Sequence, residues 1–365
     1  MKYILLFLLS GLSNLMLSQA PEIIKDVSVT YFDEQHFLIE GTTIDENNKE
    51  SPYDRLPILY KEKVRDTLWD LSKASAGISV RFHSNSTSIS LKWSVLNDFH
   101  MNHMAETGIK GVDLYTKHND KWRYVSTARP SGTTNQQQLI KNMTPEFREY
   151  KLFLPLYDGV TKLEVGIDNN ASIKKAIPNL RKPIVFYGTS ITQGGCASRP
   201  GMAHTNIISR KLDIDCINFG FSGNGRMETP IVELISEIDA NFYVIECLQN
   251  MNAEQVKQRV MPLVEIIRNK HSDTPIIFVE NMMYKTAFLD KTIETELIHE
   301  NLALKNEFDN ILKNGFQNIY YIKDMKIDEL DNEGTVDGVH LTDLGFLRYA
   351  DYLIENFKKF KLIKD

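Results

Sequence analysis

Hydrophobic and polar residues alternate along much of the first half of the chain. The alternation covers residues 78–82, stops at the polar run 84–87 and resumes over 89–93. A period of two bounded by turn-forming residues is typical of half-buried strands, and we interpret these two runs as a hairpin. Two more alternating runs flank Asp158-Gly159. Few helical stretches interrupt the pattern, so this half is predicted to form an antiparallel β-sandwich.

The second half shows a different pattern, in which short, continuously apolar runs alternate with longer amphipathic stretches. Continuous apolar runs are typical of parallel strands that are buried on both faces. Five such strands are predicted, at residues 183–187, 216–219, 242–248, 275–279 and 319–322. Predicted helices include 254–269, 294–313 and 342–360, and residues 169–182 are predicted to be a linker. The alternation predicts an α/β domain with a parallel sheet and helices on both faces.

The N-terminus has a third pattern. Lys2 precedes an apolar run over residues 3–17, and the small-residue stretch 18–20 follows. This order is typical of a secretory signal peptide, and an uncleaved N-terminal anchor is the alternative. No other stretch of the sequence is long and apolar enough to span a membrane. We therefore predict a signal peptide at 1–20, a β-sandwich domain at 21–172, an α/β domain at 173–365, and export of the mature chain.

Composition and cysteine content mainly exclude functions. The chain has 365 residues, a formal net charge of −6 and no cluster of Lys and Arg on a predicted helix, which argues against nucleic-acid binding. A disulfide between Cys196 and Cys216 and buried free thiols are both compatible with the three cysteines, the third being Cys247. The sequence contains no C-x-x-C, H-E-x-x-H or paired-histidine spacing, so no metal site is predicted.

One glycine-rich turn stands out in the second half. Gly188-Thr189-Ser190 follows the first predicted parallel strand, and Gly194-Gly195 closes the turn. Open α/β sheets bind their ligands at the carboxyl ends of the strands, and glycine lets the backbone turn sharply there. Ser190 is therefore predicted to lie where a nucleophile meets its substrate.

A carboxylate and an imidazole, Asp337 and His340, occur three residues apart just before the C-terminal helix. A serine hydroxyl becomes a nucleophile when a base lies within hydrogen-bonding reach and a third group orients that base. We predict that His340 takes the proton from Ser190 and returns it to the leaving alcohol, while Asp337 orients the imidazole. A plain Asp-Gly turn beside a surface histidine is the alternative.

Acyl transfer also needs hydrogen-bond donors for the developing oxyanion. The loop after the second predicted parallel strand contains Gly223, whose N–H would be presented without a side chain. The loop after the third contains Asn250 and Asn252, and either amide could point toward the serine. Turn formation alone is equally compatible with both loops.

Together these residues resemble the SGNH (GDSL-type) hydrolases, which carry Ser, Gly, Asn and His in separate sequence blocks. Ser190 matches the first block, Gly223 the second, Asn250 the third, and Asp337 with His340 the fifth. The resemblance implies a three-layer α/β/α catalytic domain with a five-stranded parallel sheet. It also implies an oxyanion hole made of the Ser190 N–H, the Gly223 N–H and the Asn250 side chain.

The sequence departs from this family pattern in two blocks, and a further resemblance lies outside the blocks. The Gly-Asp-Ser core reads Gly-Thr-Ser at residues 188–190, and Gly-x-Asn-Asp reads Leu-Gln-Asn-Met at 248–251, which keeps Asn252 open as the donor. The motif G-V-D-L-Y at 111–115 and the stretch 194–201 resemble a two-domain branch, in which a β-sandwich with a G-x-D-L-Y motif precedes the SGNH domain. The resemblance covers nearly the whole mature chain.

Arg199 and Asp113 are candidate substrate-binding residues, and each has an alternative structural role. Arg199, nine residues after Ser190, would bind a substrate carboxylate or pair with an Asp or Glu. Asp113 would hold the sandwich together, or the loop 101–111 that precedes it would reach over the catalytic pocket and shape it.

The predicted activity is that of an exported serine esterase. It would remove short acyl groups, acetyl foremost, from a carbohydrate through an acyl-Ser190 intermediate, with no metal and no cofactor. One alternative is a lipase or thioesterase for longer acyl chains, although no long amphipathic lid segment is evident in the sequence. The other is a carbohydrate-binding protein on an inactive hydrolase scaffold. The expected partner is a small-molecule or polysaccharide ester, and the sequence predicts no oligomeric state.

Overall fold

The computed structural model describes residues 28–42, 48–326 and 331–363. Two antiparallel sheets form the first half and one parallel sheet forms the second, as the hydropathy pattern predicts. The predicted signal peptide, residues 1–20, lies outside the described ranges. None of the helices in those ranges combines the length and the hydropathy needed to cross a membrane.

The first half is a sandwich of two facing antiparallel sheets. Its described strands are β1 (Val29–Phe32), β2 (Leu38–Glu40), β3 (Ser79–Ser84), β4 (Ile89–Val95), β5 (Val112–His118), β6 (Lys121–Ala128), β7 (Thr134–Ile140), β8 (Arg148–Phe153), β9 (Val160–Asp168) and β10 (Ile173–Lys175). One sheet has the order β1-β9-β4-β7, and the other has the order β10-β3-β8-β5-β6, with β2 also paired to β3. Two short helices, α1 (Asp66–Ser72) and α2 (Glu106–Ile109), connect strands. Inward-facing apolar side chains of both sheets share one core.

The hairpin predicted for residues 78–93 is wrong. β3 pairs with β2, β8 and β10, whereas β4 pairs with β7 and β9 in the opposite sheet. The connection between β3 and β4 crosses the sandwich, and Asp168 fixes it by accepting hydrogen bonds from the Thr87 N–H at 2.8 Å and from the Thr87 and Ser88 hydroxyls. Alternation indicates only that one face of a strand is buried. It does not indicate whether the next strand along the chain pairs with it or lies in the facing sheet.

The second half contains a five-stranded parallel sheet in the order β12-β11-β13-β14-β15. These strands are β11 (Ile184–Gly188), β12 (Cys216–Gly220), β13 (Phe242–Glu246), β14 (Ile276–Val279) and β15 (Ile319–Ile322). The helices are α3 (Ser190–Gln193), α4 (His204–Leu212), α5 (Thr229–Ser236), α6 (Ala253–Lys270), α7 (Lys291–Lys313) and α8 (Asp343–Lys359). Since β12 and β13 lie on opposite sides of β11, the strand order reverses there, and such a switch point opens a crevice at the carboxyl ends of the strands.

Apolar side chains cover both faces of this sheet. One face packs against residues of α5, α6 and α7, and the other packs against α4 and α8. The result is a three-layer α/β/α domain, as predicted. The three cysteines of the chain are free, buried thiols, so the disulfide considered between Cys196 and Cys216 is not formed.

A segment of the first half packs into the core of the second. Leu56, Leu68 and Trp69 belong to the same apolar cluster as Phe219 and Phe221, which lie at the end of β12 and just beyond it. The two halves therefore share a hydrophobic core. The predicted domain boundary at 172/173 lies at the start of β10, which still pairs with β3 of the sandwich.

Arg55 joins the two halves through hydrogen bonds. Its side chain is buried, donates to the carbonyl oxygens of Gly220, Leu71 and Ala74, and lies 4.7 Å from the ring centroid of Phe221. Burial lowers the pKa of Arg55 to about 9, which still leaves the guanidinium charged at neutral pH. Arg55 thereby fixes the end of β12, from which the Gly223 loop begins.

Candidate active site

The glycine-rich turn after β11 presents Ser190 at the carboxyl edge of the sheet. β11 ends at Gly188, Thr189 is extended, and Ser190 opens helix α3. A Cβ atom on Gly188 would lie 1.9 Å from the Thr192 hydroxyl oxygen, so the turn requires glycine there. Ser190 is 8% exposed, and its hydroxyl lies at the end of the strand as the sequence predicts.

His340 lies between Ser190 and Asp337. Its Nε2 is 2.9 Å from Ser190 Oγ, and its Nδ1 is 2.7 Å from Asp337 Oδ2. The other carboxylate oxygen of Asp337 accepts hydrogen bonds from the N–H groups of Val339 at 3.0 Å and His340 at 2.8 Å. One tight turn therefore holds carboxylate and imidazole as a unit. This order of groups can move a proton away from a serine hydroxyl.

Asp337 is suited to carry a negative charge. Partial burial by itself would raise its pKa, but hydrogen bonds from the His340 side chain and from the N–H groups of His340 and Val339 hold the pKa below the usual 3.8. The carboxylate is therefore ionised at neutral pH. An ionised carboxylate fixes the imidazole tautomer and stabilises the imidazolium that forms when the serine loses its proton.

Gly223 and Asn250 approach the turn from the two neighbouring strands. Gly223 has a φ angle of +67°, and a Cβ atom there would meet nothing within 4 Å, so its backbone borders open space. Asn250 Oδ1 accepts a hydrogen bond from the Gly225 N–H at 3.2 Å. A Cβ atom on Gly225 would lie 1.8 Å from the Gly188 carbonyl oxygen, so this glycine packs directly against β11. Because the Asn250 oxygen is held, its NH₂ group is the end of the amide that remains for an oxyanion.

Asn252, the other asparagine considered, caps a helix. Its Oδ1 accepts a hydrogen bond from the Gln255 N–H at 2.9 Å, and the Gln255 side chain accepts one from the Asn252 N–H at 3.1 Å. This reciprocal capping box fixes the first turn of α6. The geometry therefore favours Asn250 as the oxyanion donor.

The structure corrects the assignment of Asp113 to substrate binding. The residue is 0% exposed, and its carboxylate accepts hydrogen bonds from the Thr127 hydroxyl, the Gly201 N–H and the Arg199 guanidinium. A carboxylate enclosed by these donors presents no face to a ligand. Asp113 instead ties β5 of the sandwich to the 199–201 loop of the α/β domain.

Arg199 forms an ion pair, the second of the two roles considered for it. Its guanidinium lies 2.6 Å from Asp113 Oδ2 and 2.7 Å from the Tyr115 hydroxyl. The guanidinium carbon is also 4.1 Å from the ring centroid of Tyr124. The aspartate and the tyrosine of the G-x-D-L-Y motif thus both bind Arg199, and the motif acts at the contact between the two halves.

The loop 101–111 of the sandwich does reach the Asp337–His340 turn. The ring centroids of His103 and His340 are 5.9 Å apart, and the Tyr157 hydroxyl is 3.5 Å from the Ser190 carbonyl oxygen. A cavity of about 340 Å³ opens beside Gly223, and both halves of the chain form its walls. Its lining residues are Thr67, Asp70, Leu71, Ala74, Asn97, Phe99, Met101, Tyr157, Asp158, Gly159, Ser222 and Asn224.

Sequence reasoning missed a second polar cluster, which lies beneath the glycine-rich turn that carries Ser190. Glu246, the last residue of β13, accepts hydrogen bonds from the Thr192 hydroxyl at 2.9 Å, His204 Nε2 at 3.1 Å and the Tyr349 hydroxyl at 2.6 Å. Through Thr192 the cluster holds α3, the helix that Ser190 opens. Its members come from four separate elements, so no local spacing in the sequence connects them.

Comparisons with known proteins assign this geometry to a family. Residues 181–358 match the GDSL-like lipase/acylhydrolase family, and residues 29–173 match GxDLY, the N-terminus of SGNH-hydrolase-type esterases. A solved Bacteroides ovatus protein, described as a GDSL-like lipase, is 33% identical with a TM-score of 0.88, and the match covers 92% of this chain and 99% of that one. The chain belongs to the GDSL-like lipase/acylhydrolase family. No curated protein matches it.

More distant structures share the fold of this GDSL-family protein. The salicylyl-acyltransferase SsfX3 from a tetracycline biosynthetic pathway is 14% identical with a TM-score of 0.77, over 92% of this chain and 98% of that one. An active-site mutant of a family two carbohydrate esterase from Clostridium thermocellum is 13% identical with a TM-score of 0.60, over the same shares. The family membership identifies the protein as an ester-cleaving hydrolase, as the sequence predicts.

Proposed function

We propose that this GDSL-family hydrolase removes short acyl groups, acetyl foremost, from a carbohydrate through a covalent intermediate on Ser190. The observation that carries the proposal is the hydrogen-bond chain from Ser190 Oγ through His340 to Asp337 at the carboxyl edge of the sheet. The cavity between the two halves of the chain lies next to this edge. The proposed oxyanion hole consists of the N–H groups of Ser190 and Gly223 and the amide of Asn250.

In the first half-reaction, His340 Nε2 accepts the hydroxyl proton of Ser190 as Oγ attacks the carbonyl carbon of the ester. The oxyanion of the tetrahedral intermediate accepts hydrogen bonds from the three proposed donors. The bond between the carbonyl carbon and the alcohol oxygen then breaks, and His340 returns its proton to that oxygen. The alcohol leaves, and the acyl group remains on Ser190.

In the second half-reaction, His340 takes a proton from a water molecule that attacks the acyl carbon. The bond to Ser190 Oγ breaks, the proton returns to Oγ, and the carboxylic acid is released. Asp337 stabilises the imidazolium in both half-reactions. The reaction requires neither a metal nor an organic cofactor.

The cavity supports a carbohydrate as the alcohol part of the substrate. Phe99 is 46% exposed and lines the cavity together with the polar side chains of Thr67 and Asp70. A sugar ring presents apolar C–H faces and hydroxyl edges, so a wall that combines an aromatic ring with hydrogen-bonding groups suits it. The fold shared with family two carbohydrate esterases agrees with this choice.

We further propose that the protein is exported. The apolar run over residues 3–17, followed by small residues at 18–20, supports this localisation. Export fits a polysaccharide substrate, because it would bring the enzyme to polysaccharides that lie outside the cell or its inner membrane.

A lipase or thioesterase for longer acyl chains is the second candidate. Leu71, Phe99 and Met101 give the cavity an apolar stretch that could hold part of such a chain. The carbohydrate-binding alternative on an inactive scaffold is not retained, because the protein is a hydrolase by family and its serine, histidine and carboxylate lie within hydrogen-bonding distance of one another.

The test is hydrolysis of p-nitrophenyl acetate, butyrate and octanoate, followed by acetate release from a panel of acetylated glycans. We expect the highest kcat/KM on acetate and a loss of about 10⁴-fold or more in kcat for Ser190→Ala. Ser272→Ala, which changes an exposed serine at the opposite edge of the sheet, is the matched control and should behave as wild type. A preference for octanoate would favour the longer-chain candidate, and full activity of Ser190→Ala would refute the nucleophile.

A further inference from the structure

Four potential metal ligands converge at the catalytic centre, and the proposed reaction uses only two of them. His103, Cys196, Asp337 and His340 each offer one ligand atom, and these atoms all lie within 4.8 Å of one another. His103 comes from the sandwich loop, Cys196 from the segment after α3, and the other two from the turn before α8. Three separate parts of the chain thus contribute to one cluster.

The thiol of Cys196 is held facing this cluster. The residue has a φ angle of +70°, is buried and forms no disulfide. A metal cation bound in the cluster would take up this sulfur as a thiolate, because a coordinating thiol loses its proton.

His103 is oriented as a ligand by its neighbour. Its Nδ1 lies 3.0 Å from Asn102 Oδ1, an oxygen that can only accept a hydrogen bond. The proton of the neutral ring therefore belongs on Nδ1, and the lone pair belongs on Nε2. A hydrogen bond on the second ring nitrogen is the usual way in which proteins orient a metal-binding histidine.

We propose that His103, Cys196, Asp337 and His340 bind a divalent ion of the zinc class, and that this ion switches the esterase off. One thiolate, two imidazoles and one carboxylate are ligands that Zn²⁺ accepts in tetrahedral sites. Tetrahedral ligands at the usual zinc distances lie roughly 3.3–3.8 Å apart, so side-chain shifts of about 1 Å would complete the site.

Inhibition follows from the chemistry of the His340 ring. A neutral imidazole has one N–H group and one lone pair. If the ion takes Nε2, it replaces Ser190 at that nitrogen. If it takes Nδ1, the proton moves to Nε2, which then has no lone pair to accept the Ser190 proton. In both cases the general base is lost, while the thiol proton of Cys196 passes to solvent.

The binding test uses the full mature chain after treatment with EDTA and dialysis. Cobalt(II), a spectroscopic substitute for zinc, is titrated into wild type and Ser190→Ala. We expect a thiolate-to-cobalt charge-transfer band in both proteins, which Zn²⁺ displaces. The band should be absent in Cys196→Ser and weakened in His103→Ala. It should be unchanged in His100→Ala, which alters an exposed histidine just before this loop that pairs with Glu106.

The inhibition test rests on the proposed esterase activity, whereas the cobalt band does not, so the two can fail separately. Zn²⁺ should inhibit p-nitrophenyl acetate hydrolysis by wild type, and EDTA should restore the rate. Relative to each variant's own rate without zinc, half-inhibition should need at least about tenfold more Zn²⁺ in Cys196→Ser and His103→Ala. Absence of the band in wild type would overturn the site. Equal zinc sensitivity of both variants and wild type would overturn its role as a switch.

Discussion

Two groups of carboxylate, imidazole and hydroxyl lie at the carboxyl end of the parallel sheet, and they are built in opposite orders. In the first, the imidazole of His340 lies between Asp337 and Ser190. In the second, the carboxylate of Glu246 lies in the middle and accepts hydrogen bonds from His204 and from two hydroxyls. The same chemical groups are therefore arranged for the proposed proton transfer in one place and for cohesion in the other.

The order decides which proton can move. Ser190 donates to the lone pair of an imidazole, the side chain that most often acts as a general base. Thr192 and Tyr349 donate to a carboxylate, which is a much weaker base. Burial alone would raise the pKa of Glu246, but His204 and the hydrogen bonds from Tyr349 and Thr192 hold that pKa below its usual 4.5. The second group therefore keeps its charge and its protons in place.

Access separates the two groups as well. The side chains of His340 and Asp337 are 23% and 35% exposed, whereas those of His204 and Glu246 are 0% and 4% exposed. Among the described residues, His204 Nδ1 has no hydrogen-bond partner, so no further group accepts a proton from this imidazole or orients it through that nitrogen. The Glu246 group thus differs from the Ser190 group in two ways: a carboxylate lies at its centre in place of an imidazole, and its histidine and carboxylate are buried.

After Ser190→Ala, the largest predicted effect comes from Asp337→Asn. An amide at this position offers an N–H to His340 and favours the tautomer in which Nε2 carries the proton. That tautomer cannot accept the Ser190 proton, so we expect kcat on p-nitrophenyl acetate to fall by about 10⁴-fold. Thermal unfolding should show that the variant remains folded. Near-normal activity would mean that His340 does not depend on Asp337.

Glu246→Gln should affect stability rather than chemistry. The substitution removes the charge that three buried donors share, and we expect a loss of about 3 kcal/mol in the free energy of unfolding. Urea titration gives this value if the m-value is unchanged. The folded fraction should remain far more active than Asp337→Asn. Glu265→Gln, on the exposed side of α6, is the matched control and should stay within about 0.5 kcal/mol of wild type.

Acidic pH sharpens the same comparison. A carboxylate whose pKa is depressed in the folded state contributes stability above its unfolded pKa, and this contribution is lost as pH falls through the folded value. The difference in unfolding free energy between wild type and Glu246→Gln should therefore narrow below about pH 4.5. A difference that widens on acidification would show that Glu246 is not held as the ion.

Tyr349→Phe should have the smallest effect of the three substitutions. It removes one of the three donors to Glu246 and leaves Thr192 and His204 in place. A hydrogen bond to a charged group contributes about 1.5–3 kcal/mol, and we expect a loss near the lower end of that range. A loss equal to that of Glu246→Gln would indicate that Tyr349 carries the cluster alone.

The residues of the first group could be predicted from the sequence because each lies in a short, local pattern. Ser190 follows a continuously apolar strand and is framed by glycines, and Asp337 and His340 are three residues apart before a helix. Local patterns place such groups at the edge of a parallel sheet without any knowledge of long-range packing. The β/α alternation likewise gave the five parallel strands and the three layers.

The remaining features depend on contacts between distant parts of the chain. Thr192, His204, Glu246 and Tyr349 share no spacing, and Asp113 meets Arg199 only because the two halves dock. The hairpin prediction was wrong because the period of two records burial of a face and carries no information about the pairing partner. Position along the chain alone likewise left open whether Asn250 or Asn252 faces the serine, and a capping contact separates them.

The shared core has a consequence for the order of events during synthesis. Leu56, Leu68 and Trp69 leave the ribosome well before Phe219 and Phe221, the aromatic residues of the α/β domain with which they cluster. Domains generally fold in sequence from the N-terminus as they emerge. Here the first half cannot complete its own surface, and these side chains stay exposed until β12 has been made. The nascent chain should therefore require protection by chaperones over that interval, and a separately expressed sandwich should aggregate.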